Sequence, residues 1–136
     1  MNQINNYNTV YGKTNPSPED FEKMSVKRFG SVIGLNKKQE AYYRQLHAEV
    51  WDTVINRIKA SHIRNYSIYI TKIEGKHYLF SYFEYTGTDY ESDMKAMADD
   101  ESIKRWWKET DPCQFQLPSK KEGDQWSLME MVFFMD

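Results

Sequence analysis

The sequence predicts an α+β domain built as β-α-β-β-α-β, the ferredoxin-like arrangement, with two helical regions on one face of an antiparallel four-stranded sheet. Three observations predict it. A β-rich run at residues 27–35 leads directly into a long amphipathic run at 37–60. Two further β-rich runs, 65–72 and 77–85, meet across the short turn Glu74-Gly75-Lys76, as an antiparallel hairpin requires. Helical spacing then returns at 89–108, and the chain closes on a last β-rich run at 126–134.

Residues 1–24 read as an extension before the domain proper at 25–136, because Asn and turn formers such as Thr14-Asn15-Pro16-Ser17-Pro18 dominate there. Within it, Ser17 as cap and Pro18 at the first position suit a short helical turn. The first strand, 27–35, carries Gly30 and Gly34, which weaken it. Asn36 is a good N-cap for one long helix over 37–60. At about 100° per residue, Tyr43, Leu46, His47, Val50, Trp51, Val54 and Ile58 share a face of that helix.

Asn65-Tyr66 opens the second strand, which runs to Lys72 and is rich in β-formers, and the third follows at 77–85. The segment 89–99 places Tyr90, Met94 and Met97 at helical core spacing, and a further helical piece at 102–108 carries Trp106 and Trp107. Two Pro and one Gly make 110–124 a loop. Apolar residues occur on both phases of the strands: Tyr66, Ile68 and Ile70 against Tyr69, and Phe80 and Tyr82 against Leu79 and Phe83. A sheet apolar on both sides must bury both, and a second copy of the same sheet is the simplest cover. A homodimer with facing sheets, of the dimeric α/β-barrel type, is therefore expected.

Composition narrows the function. The 136 residues carry 18 Lys and Arg against 20 Asp and Glu, a net charge of −2. Such a balance offers no basic stripe for nucleic acid and no polybasic helix for a membrane surface. No apolar run approaches the ~20 residues of a membrane span, and the N-terminus has no apolar stretch of a signal peptide. The single cysteine, Cys113, rules out an internal disulfide, and no Cys/His group has zinc spacing. The expectation is a cytoplasmic protein without metal. Phosphate-binding glycine loops, HExxH, GxSxG and a carboxylate pair placed for glycoside hydrolysis are all missing.

Aromatics make up 15% of the chain, with ten Tyr and four Trp. Tyr and Trp bring polar groups that need partners, so the surplus marks either a ligand-lined cavity or an aromatic core. His47 stands mid-stripe on the apolar helix face, with Tyr43 one turn earlier. A histidine there is either a satisfied core residue or a working group, and Tyr66, Trp106 and Trp107 can converge on it from other elements. Adjacent residues on a helix point about 100° apart, so one Trp can pack inside while the other meets a ligand. An indole face suits the C–H patches of a sugar. Asp111 offers a carboxylate or simply starts the Asp111-Pro112 turn.

Taken together, these motifs resemble the L-rhamnose mutarotase family, including its L-fucose-associated branch. The resemblance rests on Tyr43-x-x-x-His47-x-x-Val50-Trp51, Asn65-Tyr66-Ser67-Ile68-Tyr69, Leu79-Phe80-x-Tyr82-Phe83-Glu84, Trp106-Trp107-Lys108 and Glu130-Met131-Val132-Phe133, and covers about residues 27–135. It implies the dimeric ferredoxin-like fold, His47 as the catalytic residue, and Tyr43, Tyr66, Trp106 and Trp107 as sugar contacts. The extension before residue 25 and Ala48, where rhamnose members have Asn, depart from the pattern, and Thr110-Asp111-Pro112-Cys113-Gln114 looks closer to the fucose-associated branch.

The implied reaction is anomer exchange of a 6-deoxyhexose, L-rhamnose or L-fucose. It moves a proton from O1 to the ring oxygen and back, for which an imidazole near neutrality suffices. No metal or organic cofactor is needed. Two other readings share the fold: a cofactor-free monooxygenase or haem-degrading enzyme, and a sugar-binding or regulatory module without catalysis.

Overall fold

The structure is a computed structural model and describes residues 8–136; the first seven residues of the predicted extension lie outside the described residues. Ser17 caps a short helix α1 (Pro18–Lys23) by accepting the Asp20 N–H at 3.2 Å, with Pro18 in its first turn. Proline suits that position, where the missing N–H has no helical partner. Phe21 of α1 is buried and meets Phe29 edge-on at 5.6 Å, so this segment packs onto the sheet.

Three long strands form the sheet: β1 (Lys27–Leu35), β2 (Ile63–Ile73) and β3 (Lys76–Tyr85). Two short ones complete it, β4 (Gln114–Phe115) and β5 (Ser127–Leu128). The order is β2-β3-β1-β4, with β5 also on β1, and every pairing is antiparallel. The chain is thus a mixed α+β fold on an antiparallel sheet. Glu74 (φ 48°) and Gly75 (φ 82°) form the two-residue β2–β3 turn, and two positive φ values are what a tight right-twisted hairpin needs.

Pleating sorts the strand residues. Phe29, Ile33, Leu35, Ile68, Ile70 and Leu79 fall on the helix-covered face, where they form core clusters with Tyr43, Phe21 and Tyr85. Val32, Tyr69, Phe80 and Tyr82 fall on the other face; the first and last two are half-buried, and Tyr69 is 62% exposed. Gly34 belongs to this second face, and a Cβ there would lie 2.1 Å from the Phe115 ring. The glycine that weakens β1 as a sequence thus lets β4 lay an aromatic ring across it.

Three expectations need correction. The single helix over 37–60 is a 3-10 turn (Lys37–Gln39) and two helices, α2 (Glu40–Ala48) and α3 (Asp52–Ala60). Glu49 leaves helical geometry (φ −138°, ψ 76°), and the Trp51 carbonyl accepts the Val54 and Ile55 N–H groups to start α3. The break lets Trp51 meet Trp106 edge-on at 5.1 Å, so aromatic packing outweighs the few tenths of a kcal/mol of helix propensity lost. The last strand shrinks from 126–134 to Ser127–Leu128. After Met129 N–H bonds the Gly30 carbonyl, the chain leaves β1; Phe134 N–H bonds Thr14 instead, and Arg28 lies over the Phe134 ring while pairing with Asp136. The loop 110–124 contains an ordered 3-10 turn (Asp111–Cys113) and β4, which makes the sheet five-stranded rather than four-stranded.

The remaining helices are α4 (Tyr90–Ala98) and α5 (Glu101–Thr110). Asp89 and Asp100 cap them by accepting the Ser92 and Ile103 N–H groups, both at 3.1 Å. Val54 of α3 packs with Ile103 and Trp106 of α5, which fixes α5 beside the α2–α3 break. Among the described residues no helix is long and apolar enough to cross a membrane.

Candidate active site

A cavity of about 550 Å³ opens between the helices and the covered face of the sheet. That size falls among small-molecule sites, roughly 300–1,000 Å³. Tyr43, His47, Tyr66, Trp106 and Trp107 all line it, so the structure brings together every residue singled out from the sequence as a site. An adjoining hollow of about 440 Å³ shares His47, Tyr66 and Trp106.

The catalytic candidate sits in the last turn of α2. The His47 ring stacks on Tyr43 at 4.0 Å between centroids, and Trp106 meets it edge-on at 5.1 Å. Nδ1 lies 2.9 Å from the Tyr43 carbonyl oxygen. A carbonyl only accepts, so Nδ1 carries the hydrogen of the neutral ring and Nε2 keeps its lone pair. Burial against these rings holds the His47 pKa below its ordinary value, against the opposing pull of the Tyr43 carbonyl. The imidazole is therefore neutral at pH 7, a base of fixed tautomer.

The two tyrosines reach the cavity by different routes. Tyr43 is buried on α2, and desolvation pushes its phenol far above the usual range while the Gln114 side chain pulls the other way. Tyr66 depends on a defect in the sheet rather than on a strand end, since β2 begins three residues earlier at Ile63. Arg64 pairs with Glu84 and Ser67 with Tyr82, so Asn65 and Tyr66 together face the single residue Phe83. This is a β-bulge, which bends a strand and re-aims a side chain. Asn65 takes the left-handed conformation (φ 49°) that asparagine tolerates, and its amide donates to Glu84 Oε1 at 2.8 Å. The Tyr66 ring then rests 5.5 Å from Phe83; the residue as a whole is 44% exposed, and local desolvation of its phenol raises the pKa.

The tryptophan pair divides its work. Trp106 is 7% exposed and anchors α5, whereas Trp107 is 38% exposed and still lines the cavity. Asp111 opens the 3-10 turn and also lines the cavity, and burial raises its carboxyl pKa.

One wall was not anticipated. Gln114 and Gln116, from the segment read as a loop, line the cavity with Gln125 just after it and Trp126. Gln116 Nε2 donates to Gln125 Oε1 at 2.9 Å, and Gln125 Nε2 donates to Gln114 Oε1 at 3.2 Å. The available signal was the alternation Gln114-Phe115-Gln116, which on an extended chain puts both amides on one side.

A family model for L-rhamnose mutarotase matches residues 28–135. The L-rhamnose mutarotase of Bacillus subtilis (strain 168) is 31% identical over 87 residues, covering 64% of this chain and 79% of the relative. That of Lactiplantibacillus plantarum is 32% identical over 85 residues, covering 62% of this chain and 77% of the relative. The crystal structure of an L-rhamnose mutarotase from Formosa agariphila shares the fold, with a TM-score of 0.58 at 23% identity over 81% of this chain and 99% of that one. The family match runs through all the strands and helices that build the cavity, and the chain therefore belongs to the L-rhamnose mutarotase family and is a sugar mutarotase, a carbohydrate isomerase.

Proposed function

We propose that the chain interconverts the α and β anomers of a free 6-deoxyhexose, L-rhamnose before L-fucose, with His47 as general acid/base. The observation that carries this reading is the fixed tautomer of His47 inside an aromatic cavity, Nδ1 tied to the Tyr43 carbonyl. L-Rhamnose comes first because it is the sugar in the names of the relatives. L-Fucose rests on the sequence Thr110-Asp111-Pro112-Cys113-Gln114.

In the proposed reaction Nε2 accepts the O1 proton as the bond from C1 to the ring oxygen breaks. O1 becomes the aldehyde oxygen, and the imidazolium returns its proton to the former ring oxygen. Rotation about C1–C2 presents the other carbonyl face, and the same steps in reverse close the second anomer. Both oxygens are attached to C1 in the ring form, so one imidazole can serve each in turn. Such proton transfer is typically worth ~10²–10⁴-fold. Tyr43 and Tyr66 orient the hydroxyls, while Trp106 and Trp107 give the sugar ring an apolar wall.

The same reading makes the chain a cytoplasmic homodimer with a ferredoxin-like domain at 25–136. The strand sequence β2-β3-β1-β5 supports the arrangement. The half-covered sheet face at Val32, Phe80 and Tyr69, with Val132 and Phe133 also exposed, supports a second copy as its cover. Saturation-transfer NMR on equilibrated sugars tests the activity. Irradiating one anomeric proton is expected to bleach the other faster with enzyme than in buffer, and more strongly for L-rhamnose than for L-fucose. Binding without faster exchange would instead favour a sugar-binding module.

A further inference from the structure

Between Arg64 and Ser67, β2 carries one residue more than β3 opposite it, and the place where that residue is absorbed decides which way Tyr66 faces. Side chains alternate along a strand, so a shift of one place turns a residue to the other side of the sheet. With Asn65 and Tyr66 together opposite Phe83, Tyr66 stands on the helix-covered side and lines the cavity. Were the extra residue absorbed one place later, Asn65 alone would face Phe83. Tyr66 would then share the uncovered side with Tyr82.

The contact that holds the extra residue at Asn65 comes from the far side of the sheet. Glu84 follows Tyr82 by two residues on β3 and so lies on the uncovered face. Its Oε1 accepts the Asn65 amide at 2.8 Å, and its Oε2 accepts the Tyr82 hydroxyl at 2.7 Å. Arg64, the cross-strand neighbour of Glu84, turns its guanidinium instead to the Lys59 and Ile63 carbonyls, at 2.9 and 2.8 Å. Both oxygens of Glu84 are thus held by neutral donors, and one donor is the bulge residue. The Tyr82 and Asn65 bonds also keep the carboxyl below the usual glutamate range, so both oxygens accept at neutral pH.

We propose that Glu84 is a positioning residue for Tyr66: by holding the Asn65 amide from the uncovered face, it pins the bulge at 65–66 and keeps the Tyr66 phenol in the cavity. This rests on the mutarotase reading above, which makes Tyr66 a sugar contact, and adds to it a residue that never meets the sugar. The amide needs an accepting oxygen, so the role requires an acceptor and not a charge.

Saturation transfer on L-rhamnose, with and without Tyr66→Phe, tests this. Glu84→Ala should lower kcat/KM by about three- to tenfold, no more than Tyr66→Phe does. The two losses should not multiply, because both act through one phenol. Glu84→Gln keeps an oxygen for the Asn65 amide and should stay within about twofold of wild type. The backbone coupling constant of Asn65, read by NMR, should lose its positive-φ value in Glu84→Ala and keep it in Glu84→Gln. If Glu84→Ala does not fold, Glu84→Met replaces it, since it keeps the stem on the strand and offers no oxygen.

Wild-type kinetics in Glu84→Ala or Glu84→Met would overturn the proposal. A loss that multiplies with that of Tyr66→Phe would overturn it as well, by showing that Glu84 acts elsewhere. Glu84→Gln losing as much as Glu84→Ala would also overturn it, since charge and not the bond to Asn65 would then matter. These results leave the mutarotase reading standing. Wild-type protein that neither binds L-rhamnose or L-fucose nor speeds their exchange would defeat that reading, and this proposal with it.

Discussion

The two walls of the cavity are made of different materials. The helical wall is aromatic: Tyr43, His47 and Trp106 touch ring to ring, and the lowered pKa of half-buried His47 follows from the water they exclude. The opposite wall, from β4 and the segment before β5, is built of amides that hydrogen-bond in sequence. The first sets the chemistry of one imidazole. The second lines the cavity with paired amides. A sugar presents both C–H patches and hydroxyls, and a site needs one wall for each.

The largest effect expected from breaking this contrast is on the aromatic wall's anchor. Trp106→Ala removes a ring that packs against Val54, Ile103, Trp51 and His47, and should cost about 3–5 kcal/mol of stability, read as a lower denaturation midpoint. Its neighbour should behave differently. Trp107→Ala, at a 38% exposed position, should cost little stability and raise KM by up to about tenfold. Equal destabilisation by both would erase the division of labour between them.

Tyr66→Phe keeps the ring against Phe83 and removes only the hydroxyl, so a loss of about five- to tenfold in kcat/KM is expected with an unchanged melting temperature. Asn65→Ala strikes the bulge instead of the phenol. It removes the amide that lets asparagine tolerate φ 49° and the bond to Glu84, so stability and activity should fall together. The smallest effect should come from Gln116→Ala at the solvent end of the amide chain, about twofold or less in kcat/KM.

Much of this arrangement was legible in the residues, and the exceptions share a cause. The hairpin was legible because Glu74-Gly75 dictates a turn type locally. Tyr43 and His47 were legible because four residues on a helix always stack two side chains. The break between α2 and α3 was hidden, since no Gly or Pro marks it and the apolar period runs on from His47 through Val50 to Val54. Only the distant Trp106 gives Trp51 a reason to leave the helix. The end of the chain misled in the opposite sense. Residues 129–134 are apolar enough for a strand, but Phe134 finds its backbone partner at Thr14, in a segment whose composition announced nothing. The glutamine wall stayed unseen because an amide's role depends on its partners, and the partner of Gln114, Gln125, lies eleven residues further along the sequence.

The central claim is that a neutral, tautomer-fixed His47 moves the proton, and the pH dependence of exchange tests it most directly. Saturation transfer on L-rhamnose should show kcat/KM level at neutral pH and falling tenfold per unit on the acid side. Because burial lowers the pKa, that limb should centre below the ordinary histidine value of 6.5, where the base form is finally lost. In His47→Gln the acceleration should drop by about 10²–10⁴-fold and the limb should vanish. An intact acid limb in His47→Gln, with exchange still fast, would contradict the account and assign the proton transfer to another group in the cavity.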